Sequence, residues 1–78
     1  MIIAQKGWLQ LQKLSDYRRM VSQTQEQIAK KLGVTQEAVS QWESGLTRPD
    51  LKLIPELAHI YGVTSDEIIN AVSVSARS

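Results

Sequence analysis

The clearest potential for chemistry lies in a cluster of short to medium polar side chains: Gln36, Glu37, Ser40 and Gln41. Val39 and Trp42 are interleaved with them at helical spacing, so a helix here would turn its apolar residues inward and its polar residues outward. Polar side chains on the first turns of an exposed helix can hydrogen-bond base edges when the helix enters a DNA major groove N-terminus first. The same four residues on an ordinary solvated helix face are the alternative.

Two threonines precede predicted helices and add a second chemistry. Thr24 is followed three residues later by Gln27, the pattern of a capping box, and Thr35 stands just before the polar cluster. The unpaired backbone amides at a helix start attract anions, and a threonine hydroxyl adds a further hydrogen-bonding group. Thr24 and Thr35 are therefore candidates to bind phosphate groups of a nucleic-acid backbone.

The composition argues against catalysis. The 78 residues include no cysteine and a single histidine, His59, so thiol chemistry, zinc knuckles and multi-histidine sites are excluded. No nucleophile–base pair can be assembled from the remaining residues. We therefore expect no enzyme activity, no cofactor, no metal and no small-molecule substrate. No apolar run approaches the length of a membrane span, so we expect a cytoplasmic protein without a membrane partner.

Charge is distributed unevenly along the chain. Residues 1–48 carry a net charge of +3, and residues 49–78 carry −2. A more basic first half suits a module that meets an anion on one side, although ordinary scatter of surface charge would look the same. The eight glutamines fit solvated helices, and glutamine is also a side chain that reads adenine in the major groove.

Apolar spacing and capping signals predict an all-α, compact five-helix domain. The first helix is predicted over roughly 8–21, the second over 25–32 and the third over roughly 36–43. Gly33 suits the left-handed end of the second helix. The connections are short, which favours packing between consecutive helices.

The sequence also contains start signals for the last two predicted helices. Pro55 is compatible either with a fourth helix that starts near Leu53 or with an irregular opening. Thr64 and Glu67 form a predicted capping box for a fifth helix. We accordingly divide the chain into an N-terminal extension, a helical domain and a tail that is expected to be frayed: residues 1–7, 8–72 and 73–78.

Several linked motifs, in order and with matching spacing, resemble the lambda Cro/Xre-type helix-turn-helix family of phage repressor-like regulators. The resemblance covers roughly residues 10–72. It is carried by Q-x-x-[LI]-A at Gln25, Ile28 and Ala29, L-G-V at Leu32–Val34, S-x-W-E-x-G from Ser40 to Gly45, R-P at Arg48–Pro49, and L-A-x-x-Y-G-V-T-x-D-E-[IL] from Leu57 to Ile68. The family implies a lambda repressor-like fold and sequence-specific binding of double-stranded DNA.

The resemblance also implies roles for individual residues. Gln25 would contact a phosphate and brace Gln36, which would bind an adenine through two hydrogen bonds. Base contacts are implied for Glu37 and Gln41, with Ser40 near the edge of the groove. Arg48 would contact the DNA backbone, as would the capping residues Thr24 and Thr35. Arg18 and Glu43 match a partly buried ion pair, with unrelated surface charges as the alternative.

Two positions depart from the family pattern. Glycine followed by leucine or methionine usually precedes the cap of the second helix, and this chain has Ser22 and Gln23 there. Met20 or Val21 is expected to replace the missing apolar contact. Glu37 places an acid against a polyanion, where it either accepts from a cytosine amine or repels the backbone.

The family implies a transcriptional regulator, and we expect a repressor that binds a near-palindromic operator as a homodimer. The dimer contacts are expected from the fifth helix, the loop before the fourth helix or the ends of the chain. A set of otherwise unexplained apolar residues is the patch offered for them: Ile2, Ile3, Val72 and Val74. The alternative is an antitoxin or other protein-interaction module that docks on a partner such as a toxin, with DNA binding secondary.

Overall fold

A computed structural model describes residues 12–77, and within that range the chain forms five α-helices and one 3₁₀ turn, with no strand. The elements are α1 Leu14–Met20, α2 Gln25–Leu32, α3 Gln36–Ser44, the 3₁₀ turn Leu51–Leu53, α4 Ile54–Tyr61 and α5 Ser65–Arg77. The predicted all-α, five-helix architecture is confirmed. The predicted extension, with Ile2 and Ile3, lies outside the described residues.

Threonine hydroxyls begin three of the helices, as the sequence predicts. The Thr24 hydroxyl oxygen accepts from the Gln27 amide at 3.1 Å, and the Gln27 side chain accepts from the Thr24 amide at 2.8 Å. Thr64 and Glu67 exchange the equivalent pair of bonds. Because each box satisfies amides that a helix start otherwise leaves unpaired, these boundaries are determined locally.

The first helix begins later than predicted. Lys13 has extended backbone angles and its amide donates to the Asp16 carboxylate at 2.8 Å, so α1 starts at Leu14. A carboxylate in the first turn accepts from an amide that has no helical partner and favours the positive end of the helix dipole. The predicted helix is therefore corrected for residues 12 and 13, which are not helical, and its predicted start near residue 8 lies outside the described residues.

The start of α4 has both of the features predicted as alternatives, an irregular opening and a proline in the first turn. The 3₁₀ turn Leu51–Leu53 leads directly into the helix, and Pro55 lies within its first turn. Proline is tolerated there because the first amides of a helix have no carbonyl to bond. The Asp50 carboxylate accepts from the Lys52 amide at 3.4 Å and begins the turn.

One interhelical core holds the five helices together. Its buried members come from every helix: Leu14, Tyr17, Ile28, Ala29, Val39, Trp42, Ile54, Leu57, Ala58, Tyr61, Ile68 and Ala71. Trp42 is therefore a packing residue, as expected, and the exposed His59 takes no part in the core. Val21 packs against the core while Met20 is 63% exposed, so Val21 supplies the expected apolar contact. No helix within residues 12–77 is long and apolar enough to cross a bilayer.

The C-terminal helix extends beyond the predicted boundary. α5 continues to Arg77, and Ser75 is completely buried, with its hydroxyl accepting from the Leu14 amide at 3.3 Å. This bond satisfies a backbone amide at the start of α1 that has no partner within its own helix. It also joins the last turns of α5 to the start of α1. The predicted frayed tail over 73–78 is corrected for residues 73–77, which are helical.

Ser22, which replaces the family's glycine, is the one non-glycine residue with a positive φ within the described range, at 56°. A left-handed conformation costs a residue with a Cβ about 1–2 kcal/mol. We therefore expect Ser22→Gly to raise the free energy of unfolding by about 0.5–1 kcal/mol after glycine's entropic cost. Urea unfolding would measure it. Ser22→Ala is the control, and an equal gain from alanine would contradict this explanation.

Candidate nucleic-acid interface

The interface is built on two short helices joined by a tight turn. Gly33 ends α2 with a φ of 73°, and the Val34 amide then bonds back to the Ala29 carbonyl at 3.0 Å. The left-handed glycine redirects the chain within one residue, as helix C-terminal caps commonly do. Half-buried Val34 packs against the core between α2 and α3, which places α3 across α2.

α3 has two distinct faces. Val39 and Trp42 are buried and hold the helix against the domain. The predicted base-contacting residues occupy an arc of about 140° on the other side, at 100° per residue. Gln36, Glu37 and Ser40 are exposed, and Gln41 is half-buried. The helix therefore offers three fully accessible polar side chains at its N-terminal end.

Gln41 differs from the other three. Its side-chain oxygen accepts from the Thr47 hydroxyl at 3.5 Å, and its backbone carbonyl accepts from the Leu46 amide at 2.9 Å. These bonds join the last turn of α3 to the loop that follows. Because Gln41 is half-buried and already accepts one hydrogen bond from Thr47, the exposed Gln36 is the better placed of the two glutamines.

The predicted backbone contacts lie around α3. Thr24 and Thr35 begin α2 and α3, where each hydroxyl oxygen accepts an amide hydrogen bond and retains one hydrogen to donate. Arg48 is exposed in the loop after α3. These residues thus combine a cation with two helix starts, the groups that proteins commonly use against phosphates.

Arg18 and Glu43 form the predicted ion pair between α1 and α3. Arg18 Nε donates to Glu43 Oε2 at 2.6 Å and Nη2 donates to Oε1 at 3.1 Å, while Nη1 donates to the Gln23 carbonyl at 3.1 Å. The side chains are only 17% and 8% exposed. The hydrogen bond to Glu43 raises the pKa of Arg18, which therefore remains charged at any physiological pH.

Gln25 connects this ion pair to the exposed face of α3. Its side-chain nitrogen donates to Glu43 Oε1 at 3.0 Å, and its side-chain oxygen accepts from Gln36 Nε2 at 3.5 Å. The structure thus places Gln25 against Gln36, and adds a contact to Glu43 that the sequence did not predict. Motif spacing could not find this contact, because Gln25 and Glu43 are 18 residues apart on different helices.

A second surface feature lies beside the interface. A groove of about 130 Å³ runs between the loop after α3, the 3₁₀ turn and α5. It is lined by Arg48, Pro49, Leu51, Ile54, Ile69, Val72 and Ser73. Leu51 is 80% exposed and Ile69 49% exposed, so two of the four exposed large apolar side chains of the described range border one groove.

The tight turn, the buried underside of α3 and its polar outer face together define a helix-turn-helix DNA-binding domain. A family model described as Helix-turn-helix matches residues 14–68, which is most of the described domain. The chain belongs to the Cro/C1-type helix-turn-helix family of DNA-binding transcriptional regulators, and the resemblance stated from the sequence is confirmed.

Curated relatives carry names of the same kind. The chain is 36% identical over 59 residues to the HTH-type transcriptional activator BcrR of Enterococcus faecalis, covering 76% of this chain but only 29% of that protein. It is 41% identical over 56 residues to an uncharacterized HTH-type transcriptional regulator of Methanocaldococcus jannaschii, covering 72% and 85%. A prophage-derived regulator of Bacillus subtilis, YonR, is 31% identical over 58 residues, covering 74% and 54%. No solved structure matched the chain.

Proposed function

We propose that this protein represses transcription by binding a near-palindromic DNA operator as a homodimer, with α3 as the recognition helix. The observation that carries the proposal is the asymmetry of α3, whose Val39 and Trp42 are buried while Gln36, Glu37 and Ser40 face outward. The first turn then lies against base edges, and Thr24, Gln25, Thr35 and Arg48 hold the phosphates. A dimer bound to DNA in the cytoplasm in this way would block a promoter without any catalytic step.

Gln36 is expected to supply sequence discrimination. A glutamine amide matches adenine N7 and N6 with one donor and one acceptor, an arrangement worth about 1–3 kcal/mol against the wrong base. Gln36→Ala should therefore weaken binding to the best duplex selected from a random library by about 1–3 kcal/mol and leave nonspecific binding almost unchanged. Competition binding at fixed salt would measure both.

Arg48→Ala is the matched control for Gln36→Ala, measured on a single half-site because Arg48 also lines the groove assigned below to the second copy. Loss of a phosphate contact should weaken binding to every duplex similarly and reduce the slope of log K against log salt by about 1. If Gln36→Ala leaves affinity for the selected duplex unchanged, α3 is not the helix that reads the bases.

The groove beside α3 is the surface that we assign to the second copy; it lies at the loop before α4 and at α5, two of the places expected for the dimer contact. Val72 lines the groove, together with the more exposed Leu51 and Ile69. Arg48 is the one charged residue among those that line the groove, and most of the others are apolar. An exposed apolar patch present on both copies can be buried in a two-fold interface.

Leu51→Ser is expected to weaken the dimer, because Leu51 projects from the rim of the groove and contributes little to the core. We expect at least a roughly tenfold higher dimer dissociation constant by sedimentation, and a larger loss of affinity for a two-half-site duplex than for a single half-site. Met20→Ser, at a similarly exposed site on α1, is the control. A wild-type monomer that captures a toxin-like partner through Leu51 would instead support the protein-interaction alternative.

A protein that covers a promoter blocks transcription from it, so we expect repression and not activation. BcrR is named an activator, but the similarity covers only 29% of its length, so its name does not determine the direction of regulation by this chain. A reporter with the selected duplex placed over its promoter should lose expression when the protein is produced. Increased expression from the same promoter would reverse the assignment.

A further inference from the structure

We infer that Glu43, whose side chain is only 8% exposed and which lies two turns after Gln36 on α3, determines which base Gln36 prefers, acting through the side-chain orientation of Gln25. The inference rests on the proposed docking of α3 in the major groove. Glu43 is in this sense a positioning residue for base recognition, in addition to its ion pair with Arg18.

The first step is the orientation of Gln25. A carboxylate can only accept hydrogen bonds, so the Gln25 side chain must turn its nitrogen toward Glu43 Oε1, 3.0 Å away. The amide is planar, so its oxygen then points away from Glu43 and toward Gln36, at the other end of α3. Arg18 also donates to both oxygens of Glu43, at 2.6 and 3.1 Å, and Oε1 still has a lone pair to accept from Gln25.

The second step is the orientation of Gln36. The Gln25 oxygen accepts from Gln36 Nε2 at 3.5 Å, which uses one of the two hydrogens on that nitrogen. Gln36 is left with one donor and one acceptor side by side. Adenine presents an acceptor at N7 and a donor at N6, so this arrangement matches adenine.

Without Glu43 the Gln25 amide can turn over. Its nitrogen would then donate to the oxygen of Gln36 and leave both hydrogens of Gln36 Nε2 free. Guanine presents two acceptors, N7 and O6, so two donors match guanine at least as well as adenine. The base preference at this position therefore depends on an acceptor that lies 18 residues from Gln25 in sequence and does not touch the base.

The test measures a ratio of affinities. Two duplexes are compared in direct competition. The first is the best duplex selected from a random library, and the second has G·C in place of A·T at one position. That position is the base pair at which the Gln36→Ala variant no longer discriminates. The ratio is independent of the fraction of protein that is folded, because both duplexes compete for the same folded molecules. Wild type should prefer adenine about 5- to 150-fold.

The informative variant is the double substitution Arg18→Met with Glu43→Met, which removes the acceptor without leaving an unpaired charge. We expect its adenine preference to fall to about 2-fold or less. Arg18→Met alone is the control: it breaks the ion pair but leaves Glu43 to accept from Gln25, so the wild-type ratio should persist even though stability falls. Gln25→Met, at a half-buried position that should tolerate it, should also lose the preference if the double variant does not fold.

Each outcome has a distinct meaning. A wild-type ratio in the double variant or in Gln25→Met overturns the inference, and so does loss of the ratio in Arg18→Met alone. Equal binding of wild type to duplexes of every sequence would instead contradict the proposed function.

Discussion

Gly45→Ala is expected to destabilise the domain by about 2–5 kcal/mol, a large part of the roughly 4–12 kcal/mol expected for a domain of 78 residues. Gly45 ends α3 with a φ of 82°, which already costs an alanine about 1–2 kcal/mol. A Cβ there would also lie 2.5 Å from the Ser75 carbonyl oxygen and 2.8 Å from the Ala76 Cα. Both are backbone atoms of α5, so relief requires a whole helix to move.

Gly33→Ala is the matched control. Gly33 ends α2 with a similar φ of 73°, but an added Cβ would have no neighbour within 4 Å. Its expected cost is therefore the conformational part alone, about 1–2 kcal/mol. Urea unfolding of both variants at one protein concentration would separate the two contributions. Equal losses would show that α5 does not approach Gly45 as closely as described.

This contrast shows which parts of the fold are encoded locally. Thr24 with Gln27 and Thr64 with Glu67 are pairs three residues apart, so the sequence alone predicts where α2 and α5 begin. The sequence also predicts that the third helix ends near residue 43, shortly before Gly45. It does not reveal that Ser75 lies against Gly45, because 30 residues separate them and nothing in a small polar residue near the end of a chain indicates burial.

The candidate site divides in the same way. The outward residues of α3 follow from helical periodicity, since Val39 and Trp42 identify the buried side. The Arg18–Glu43 pair follows from family motifs, because no spacing rule connects α1 with α3. The contact between Gln25 and Glu43, and the groove between Leu51 and Ile69, depend on how helices cross, which only the three-dimensional arrangement provides.

Breaking the Arg18–Glu43 ion pair should cause the second large loss of stability. Comparison of the single variants with the double variant shows whether the two charges stabilise the domain through each other or independently. Glu43→Met leaves the Arg18 guanidinium, 17% exposed, with the Gln23 carbonyl but no negative charge. Arg18→Met leaves the Glu43 carboxylate, 8% exposed, with only the neutral Gln25 amide. An uncompensated charge in such surroundings costs about 3–5 kcal/mol, so we expect each single variant to lose about that much.

The double variant, with methionine at both positions, is expected to lie within about 1 kcal/mol of wild type. Neither charge then has to be removed from water, and two flexible side chains fill the space beside buried Tyr61, whose pKa burial raises above its usual value. Urea unfolding of the wild type, the two single variants and the double variant would complete a double-mutant cycle, which gives the coupling free energy between the two charges. Additive losses in the double variant would mean that the two charges stabilise the domain independently. In that case the contact between α1 and α3 depends on packing around Tyr17 and Trp42, and not on the ion pair that joins the helices.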